Sequence, residues 1–144
     1  MDIQKYMRAP DVGMGDVLVK ASASQWIQTD PEGKAFVKVL WTSPDSGGWA
    51  VLFKWLKGYT ADAHKHLGAV HGLVMSGKLK VRDQVMEAGD YVYEANGMLH
   101  EATVALEDTV HLNIADGPIL FFRDGEFTHY VGWEQMYKLQ HGEK

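Results

Sequence analysis

Turn-forming sequences interrupt the second half of the chain at short intervals, and this spacing restricts the possible folds more than any other feature. The segments between them, such as HGLVM, YVYEA, TVHLNI and EFTHYVG, are short and rich in β-branched and aromatic residues. The turn signals are Ser76-Gly77, residues 87–90, Glu107-Asp108 and Asp124-Gly125. Such spacing is typical of all-β proteins, and Asp-Gly is a strong signal for a two-residue hairpin.

Two further strands are predicted upstream, at KAFVKVLW (34–41) and within GWAVLFKWLKGY (48–59). The second has apolar residues on both faces, which predicts a strand buried on both sides. Residues 133–140 alone have helical spacing, and the first fifteen residues resemble an arm or a short strand. Nine or ten strands and one short C-terminal helix favour a jelly roll or a related closed sandwich.

Length and composition exclude several classes of protein. A chain of 144 residues is expected to form a single domain, here residues 1–144. The absence of cysteine excludes disulfides and thiolate metal sites, and a net charge of -5 without a basic cluster argues against nucleic acid. The sequence contains no apolar run of membrane-spanning length and no signal-type N-terminus. We therefore expect a cytoplasmic protein whose partner is a small molecule.

His64 and His66 are separated by one residue, in the segment GYTADAHKHLGAVHG. On a strand this spacing directs both imidazoles to the same face, where they could bind one divalent metal ion. A third ligand must then come from elsewhere in the chain. The alternative is that both are surface histidines on an edge strand.

Two segments around these histidines resemble the paired motifs of the cupin family. The first, G-x5-H-x-H followed by a distant glycine, corresponds to Gly58, His64, His66 and Gly77. The second corresponds to Gly89, Ala95, Gly97 and His100. The chain departs from the family pattern where Val70 replaces the usual glutamate ligand, Ala95 replaces a proline and Val104 replaces an asparagine.

The resemblance implies an all-β, cupin-type jelly-roll barrel (a double-stranded β-helix) with a short C-terminal helix. It also implies a metal site made by His64, His66 and His100. Three neutral imidazoles without a carboxylate leave the full double charge of a divalent ion, which favours an anionic ligand with two oxygens. The donor set does not choose among iron, zinc, nickel and copper.

Within the cupins, the chain is similar to the three-histidine group of acetylacetone and 2,4'-dihydroxyacetophenone dioxygenases. That similarity implies Fe(II), dioxygen and a β-diketone or hydroxyketone substrate that is cleaved next to a carbonyl group. It also implies that Glu94 acts beside the metal ligands, orienting a ligand or water or assisting deprotonation of the substrate. A homodimer or higher homo-oligomer is expected on the same grounds.

Two other functions remain open at this stage. One is an oxygen-independent, zinc- or nickel-dependent isomerase or hydrolase on the same scaffold. The other is a non-enzymatic cupin that binds a small ligand, because the family contains enzymes and non-enzymes alike.

Several other side chains have more than one interpretation. His71 is expected on the opposite face from His66 unless the strand bends, and His111 could enter the barrel, although a surface or hydrogen-bonded position is favoured. Glu94 could equally point outward. Arg82 and Arg123 are the best candidates for binding an anion, with a surface position as the simpler interpretation. The aromatic residues before the histidines could line a pocket or fill the core: Trp49, Phe53, Trp55 and Tyr59.

Overall fold

The computed structural model describes residues 16–97, 99–100 and 102–143, and the side chain of His100 lies outside this description. The proposed arm at residues 1–15 therefore lies outside the described residues. Within them the chain forms fourteen strands, a 3-10 turn and one helix. These elements are a 3-10 turn at Ala21–Ala23, β1 Ile27–Gln28, β2 Ala35–Thr42, β3 Trp49–Trp55, β4 Thr60–Ala61, β5 His64–His66, β6 Val70–Ser76, β7 Lys78–Val81, β8 Gln84–Glu87, β9 Tyr91–Glu94, β10 Leu99–His100, β11 Thr103–Ala105, β12 Thr109–Ala115, β13 Ile119–Arg123, β14 Glu126–Val131 and α1 Trp133–Gln140.

The described strands form three antiparallel sheets. The largest has the order β1-β2-β3-β12-β6-β9, and the two four-stranded sheets have the orders β10-β5-β13-β14 and β4-β11-β7-β8. Neighbours such as β3 and β12 are far apart in the chain, as in a jelly roll. The all-β jelly-roll prediction is confirmed, as a sandwich whose three sheets are not joined into one continuous hydrogen-bonded barrel.

The predicted turns lie where the sequence indicated. Asp124 and Gly125 have φ angles of 52° and 79°, and Arg123 pairs with Glu126 across them. These values are those of a type I′ hairpin, which requires positive φ at both central residues. The turn after Ser76 and the turn before Tyr91 likewise contain glycines with positive φ, at Gly77 and Gly89.

The expected strand number, nine or ten, was too low. The extra strands are short: β1, β4 and β10 have two residues each, and β5 and β11 have three. Segments of this length contain too few residues to show an alternating pattern, so hydrophobic periodicity cannot detect them.

The main core cluster is formed by residues of β2, β3 and α1 with neighbouring strands, and a second, smaller cluster lies around Val74 and Leu79. Val37, Trp49 and Val51 are buried, and the Trp49 Nε1–H donates a hydrogen bond of 3.0 Å to the Gly117 carbonyl. The opposite face of β3 is only partly buried, so the prediction that β3 is buried on both sides was too strong.

The C-terminal helix extends over the predicted residues, 133–140. Its first turn is stabilised by Gln135, whose Oε1 accepts a hydrogen bond of 2.8 Å from the Gly132 N–H. Met136 packs into the core and the Gln140 amide donates to the Val39 carbonyl, so the helix is fixed against β2. No helix among the described residues is long and apolar enough to cross a membrane.

Candidate metal centre

Strand β5 presents His64 and His66 on one face, as the H-x-H spacing predicts. It lies between β10 and β13 in its sheet, so it is not an edge strand. The two imidazole rings are in contact, with their centroids 4.9 Å apart and their planes nearly perpendicular. His66 is 2% exposed, which excludes the alternative of two surface histidines.

The backbone before β5 fixes the tautomer of His64. Its Nδ1 lies 3.0 Å from the carbonyl oxygen of Asp62, and since a carbonyl can only accept, Nδ1 carries the proton. The lone pair is then on Nε2, the atom available to a metal ion. Burial lowers the pKa of His64 below its ordinary value of 6.5 and His66 adds to this effect, whereas the Asp62 bond and Glu94 oppose it. The ring is therefore neutral at pH 7, as a metal ligand must be.

Glu94, at the end of β9, points into the interior and meets His66. Its Oε2 lies 2.7 Å from the His66 Nε2, and its side chain is 13% exposed. The outward-facing alternative for Glu94 is thereby excluded. In the register between β6 and β9, Glu94 pairs with Val70, the position where the cupin motif usually has glutamate. A carboxylate thus reaches this region from the neighbouring strand.

The donor atoms of His64, His66 and Glu94 all lie within 4.8 Å of one another. Two ligands about 2.1 Å from one ion are separated by about 3 Å when they are adjacent and about 4.2 Å at most. Side-chain movements of less than about 1 Å would therefore bring all three to one ion. The residues present fit a divalent metal ion.

His100 occupies a register position in the same sheet. β10 pairs antiparallel with β5, and His100 is the residue directly opposite His64. Because its side chain lies outside the described residues, its role as a metal ligand stays a prediction.

A cavity of about 920 Å³ extends over this centre. Its lining includes His64, His66 and Glu94 together with aromatic side chains of β3 and β13. Phe121 lies beside His64, with ring centroids 5.8 Å apart, and Phe53 and Trp55 form a contiguous pair. Both interpretations of the aromatic residues hold: Trp49, Phe53, Trp55 and Tyr59 all line the cavity, while Trp49 is also a buried core residue against whose cluster Phe53 packs.

His111 lies inside the protein, 6% exposed, and lines the same cavity. The favoured expectation of a surface position was wrong, and the alternative that His111 enters the interior holds; the ring is also hydrogen-bonded, with a contact of 2.7 Å to Asn113. In β12 the apolar face points outward and the polar face points inward, because Ile114 is 41% exposed while His111 is buried. The interior at this point is a cavity with polar groups in its wall, so an inward-facing polar residue is accommodated.

Of the remaining sequence candidates, His71 and Arg82 do not line this cavity, whereas Arg123 does. His71 is on the other face of its strand, where its Nδ1 contacts the Tyr91 hydroxyl at 2.5 Å, so the expectation that it faces away from His66 is confirmed. Arg82 is exposed at the β7–β8 turn. Arg123 lies at the cavity edge, where its guanidinium forms an exposed ion pair of 3.2 Å with Asp62.

Sequence reasoning missed two residues of this region, Asp62 and Asn113. Asp62 acts through its backbone carbonyl, for which no residue type gives a signal. Asn113 could have been found by its spacing, because His111 and Asn113 alternate along one strand with Val110, Leu112 and Ile114. That alternation shows that the two polar residues share a face, but not which face is internal.

A jelly roll carrying an H-x-H pair beside an aromatic-lined cavity defines a cupin-like domain. Residues 14–120 match the ChrR cupin-like domain, and the chain belongs to that family. Over 105 residues it is 27% identical to an acetylacetone-cleaving enzyme from Acinetobacter johnsonii, covering 68% of this chain and 69% of that one.

Two solved structures share the fold. An acetylacetone dioxygenase from Acinetobacter johnsonii superposes with a TM-score of 0.79 at 21% identity, covering 96% of this chain and 99% of that one. A protein from Methylibium petroleiphilum, provisionally named an acetylacetone dioxygenase, also has a TM-score of 0.79, at 24% identity over 88% of this chain and 95% of that one.

Proposed function

We propose that this protein is an Fe(II)-dependent dioxygenase that cleaves a carbon–carbon bond next to a carbonyl group in a β-diketone or hydroxyketone. The observation that carries the proposal is the pair His64 and His66 within an aromatic-lined cavity, with the Glu94 carboxylate 2.7 Å from His66. The similarity to an acetylacetone-cleaving enzyme supports the substrate class.

The proposed metal ligands are His64, His66 and His100. The pairing of His100 with His64 supports this set, because residues directly opposite each other in antiparallel strands share a face of the sheet. A divalent ion bound there would act as a Lewis acid for two oxygens of a chelating substrate and would favour its enolate form.

Glu94 is proposed to accept the proton that the substrate carbon loses when the enolate forms. Its carboxylate is nearly enclosed and lies at hydrogen-bond distance from His66, so it is close to any molecule bound beside the histidines. A positioned carboxylate of this kind is a suitable general base. Phe53 and Phe121 would hold the apolar part of the substrate and limit access of water.

The first test measures bound metal per chain after anaerobic loading with Fe(II), in wild type, His100→Ala and Glu94→Gln. We expect about one ion per chain in wild type and in Glu94→Gln, and a loss of stoichiometric binding in His100→Ala. Full occupancy in His100→Ala together with loss in Glu94→Gln would instead assign the third ligand to Glu94. That result would give a two-histidine, one-carboxylate site, a donor set that suits zinc as well as iron.

The second test measures oxygen uptake by the iron-loaded protein with a panel of β-diketones and hydroxyacetophenones. We expect substrate-dependent uptake, with both oxygen atoms recovered in the two carbonyl fragments, and its loss in Glu94→Gln. Turnover that persists without oxygen and with zinc would favour an isomerase or hydrolase. Metal and ligand binding without turnover would favour a non-enzymatic ligand-binding domain.

We also propose a homodimer or higher homo-oligomer in the cytoplasm, with no nucleic-acid or membrane partner. The acidic net charge argues against nucleic acid and the absence of cysteine fits a reducing compartment, whereas the oligomer is expected from the resemblance to small cupins. Light scattering of the purified chain measures the mass of the assembly, and a monomer would contradict the oligomer.

A further inference from the structure

His111 is a buried histidine of the cavity wall that lies outside both cupin motifs. It stands in the middle of β12, where it pairs with Phe53 of β3 and Val74 of β6. Its ring lies against Trp55 at 4.5 Å and Phe53 at 5.4 Å, measured between ring centroids. These contacts hold the imidazole in one place within the cavity that contains His64, His66 and Glu94.

Asn113 fixes the tautomer of this ring. The side-chain Nδ2 of Asn113 lies 2.7 Å from the Nδ1 of His111, and an amide nitrogen can only donate, so Nδ1 accepts. The proton of the neutral ring is then on Nε2. Burial lowers the pKa of His111 to about 4, opposed by Glu94, which agrees with a neutral ring at pH 7.

The Nε2–H of His111 has no hydrogen-bond partner among the described residues, although the atom is fully enclosed. Buried polar groups are rarely left without a partner, because an unsatisfied donor loses its interaction with water and gains nothing in return. Because His111 lines the cavity, a ligand there that brings an oxygen acceptor would give this donor a partner.

We propose that His111 is a substrate-binding residue whose Nε2–H donates a hydrogen bond to a carbonyl or enolate oxygen of the ligand in the cavity. This inference rests on the proposed function for the class of ligand, a 1,3-dicarbonyl compound. A neutral Nε2–H donates and cannot accept, so the site selects an oxygen acceptor over a group that can only donate, such as an ammonium, at the same position.

The tautomer can be tested without metal or ligand. Nitrogen-15 NMR of the histidine rings in the metal-free protein distinguishes a protonated Nε2 from a protonated Nδ1. We expect His111 with the proton on Nε2, assigned by the loss of its signals in His111→Gln. A proton on Nδ1 would overturn the inference, because Nε2 could then only accept.

Binding is tested with acetylacetone as the probe, by anaerobic calorimetry on the Fe(II)-loaded protein. The variants are His111→Leu, which removes the donor, and His111→Gln, whose amide can place an N–H near the position of Nε2. We expect one metal ion per chain in all three proteins. We expect about tenfold to a hundredfold weaker binding in His111→Leu, and binding within about threefold of wild type in His111→Gln.

The outcomes separate this inference from the proposed function. Wild-type affinity in His111→Leu, with normal metal content, would overturn the role of His111 alone. Loss of metal in His111→Leu, with an unchanged melting temperature, would show that the ring binds metal instead of substrate. A wild-type protein that binds neither Fe(II) nor acetylacetone would overturn the proposed function and with it this inference.

Discussion

The buried His111 makes the stability of the metal-free protein sensitive to acid, and His111→Leu should remove that sensitivity. In the folded protein the pKa of His111 is lowered to about 4, whereas in the unfolded chain it returns to its ordinary value of 6.5. Between these two values the unfolded chain binds the proton and the folded protein does not. The free energy of unfolding is therefore fully retained above pH 6.5 and falls as the pH falls toward 4.

The size of the effect follows from the difference between the two pKa values. Each pKa unit corresponds to about 1.4 kcal/mol, so protonation linked to His111 lowers the free energy of unfolding by about 3 kcal/mol in total. About 2 kcal/mol of this loss has occurred by pH 5. Other titrating groups change the stability of wild type and variant alike. Their contribution cancels when the two proteins are compared at the same two pH values.

Urea unfolding with a metal chelator present, at pH 8 and at pH 5, measures this difference. Wild type should lose about 2 kcal/mol more than His111→Leu between the two conditions. Equal losses in the two proteins would refute the reasoning, because they would show that His111 is not kept neutral by burial. A greater loss in the variant would have the wrong sign for a buried neutral histidine.

Two further predictions concern the scaffold. Gly77 and Gly89 both have positive φ, but a methyl group on Gly77 would also collide with the Asp108 backbone carbonyl, whereas the space at Gly89 is open. In urea unfolding, Gly89→Ala should therefore lower the free energy of unfolding by about 1 kcal/mol and Gly77→Ala by more than about 3 kcal/mol. Equal losses in the two variants would show that the collision at Gly77 does not contribute. Trp49→Phe should lower the free energy of unfolding by about 2–4 kcal/mol, since it removes a buried hydrogen bond and leaves a void. The control Trp41→Phe, on the half-exposed outer face, should lower it by less than about 1 kcal/mol. Similar losses in the two variants would show that the Trp49 hydrogen bond contributes little.

The features that the sequence predicted well are those set by local geometry. Gly77, Gly89 and the pair Asp124-Gly125 occur at positions of positive φ, where glycine is favoured whatever the surrounding fold. The helix at residues 133–140 is likewise signalled within its own segment by a 3.6-residue period. The shared face of His64 and His66 follows from the period of two in any strand.

The features that could not be predicted depend on which elements meet in space. The alternation along β12 places His111 and Asn113 on one face, but only the pairing of β12 with β3 and β6 makes that face internal. The two-residue strand β10 has no periodicity of its own and is defined only by its pairing with β5. The contact between Glu94 and His66 joins residues 28 positions apart, on different sheets. Tertiary packing decides all three.

The position of Glu94 changes the meaning of Val70. From the sequence alone, valine at the usual glutamate position indicates a metal site without a carboxylate, in which the full charge of a divalent ion would remain. In the structure Glu94 pairs with Val70 across the β6–β9 ladder, and its carboxylate contacts His66. A negative charge therefore remains beside the histidines on a different strand. If His100 completes the ligand set, this carboxylate offsets part of the metal charge through space while it stays free to accept a proton, which a directly bound glutamate would do less well.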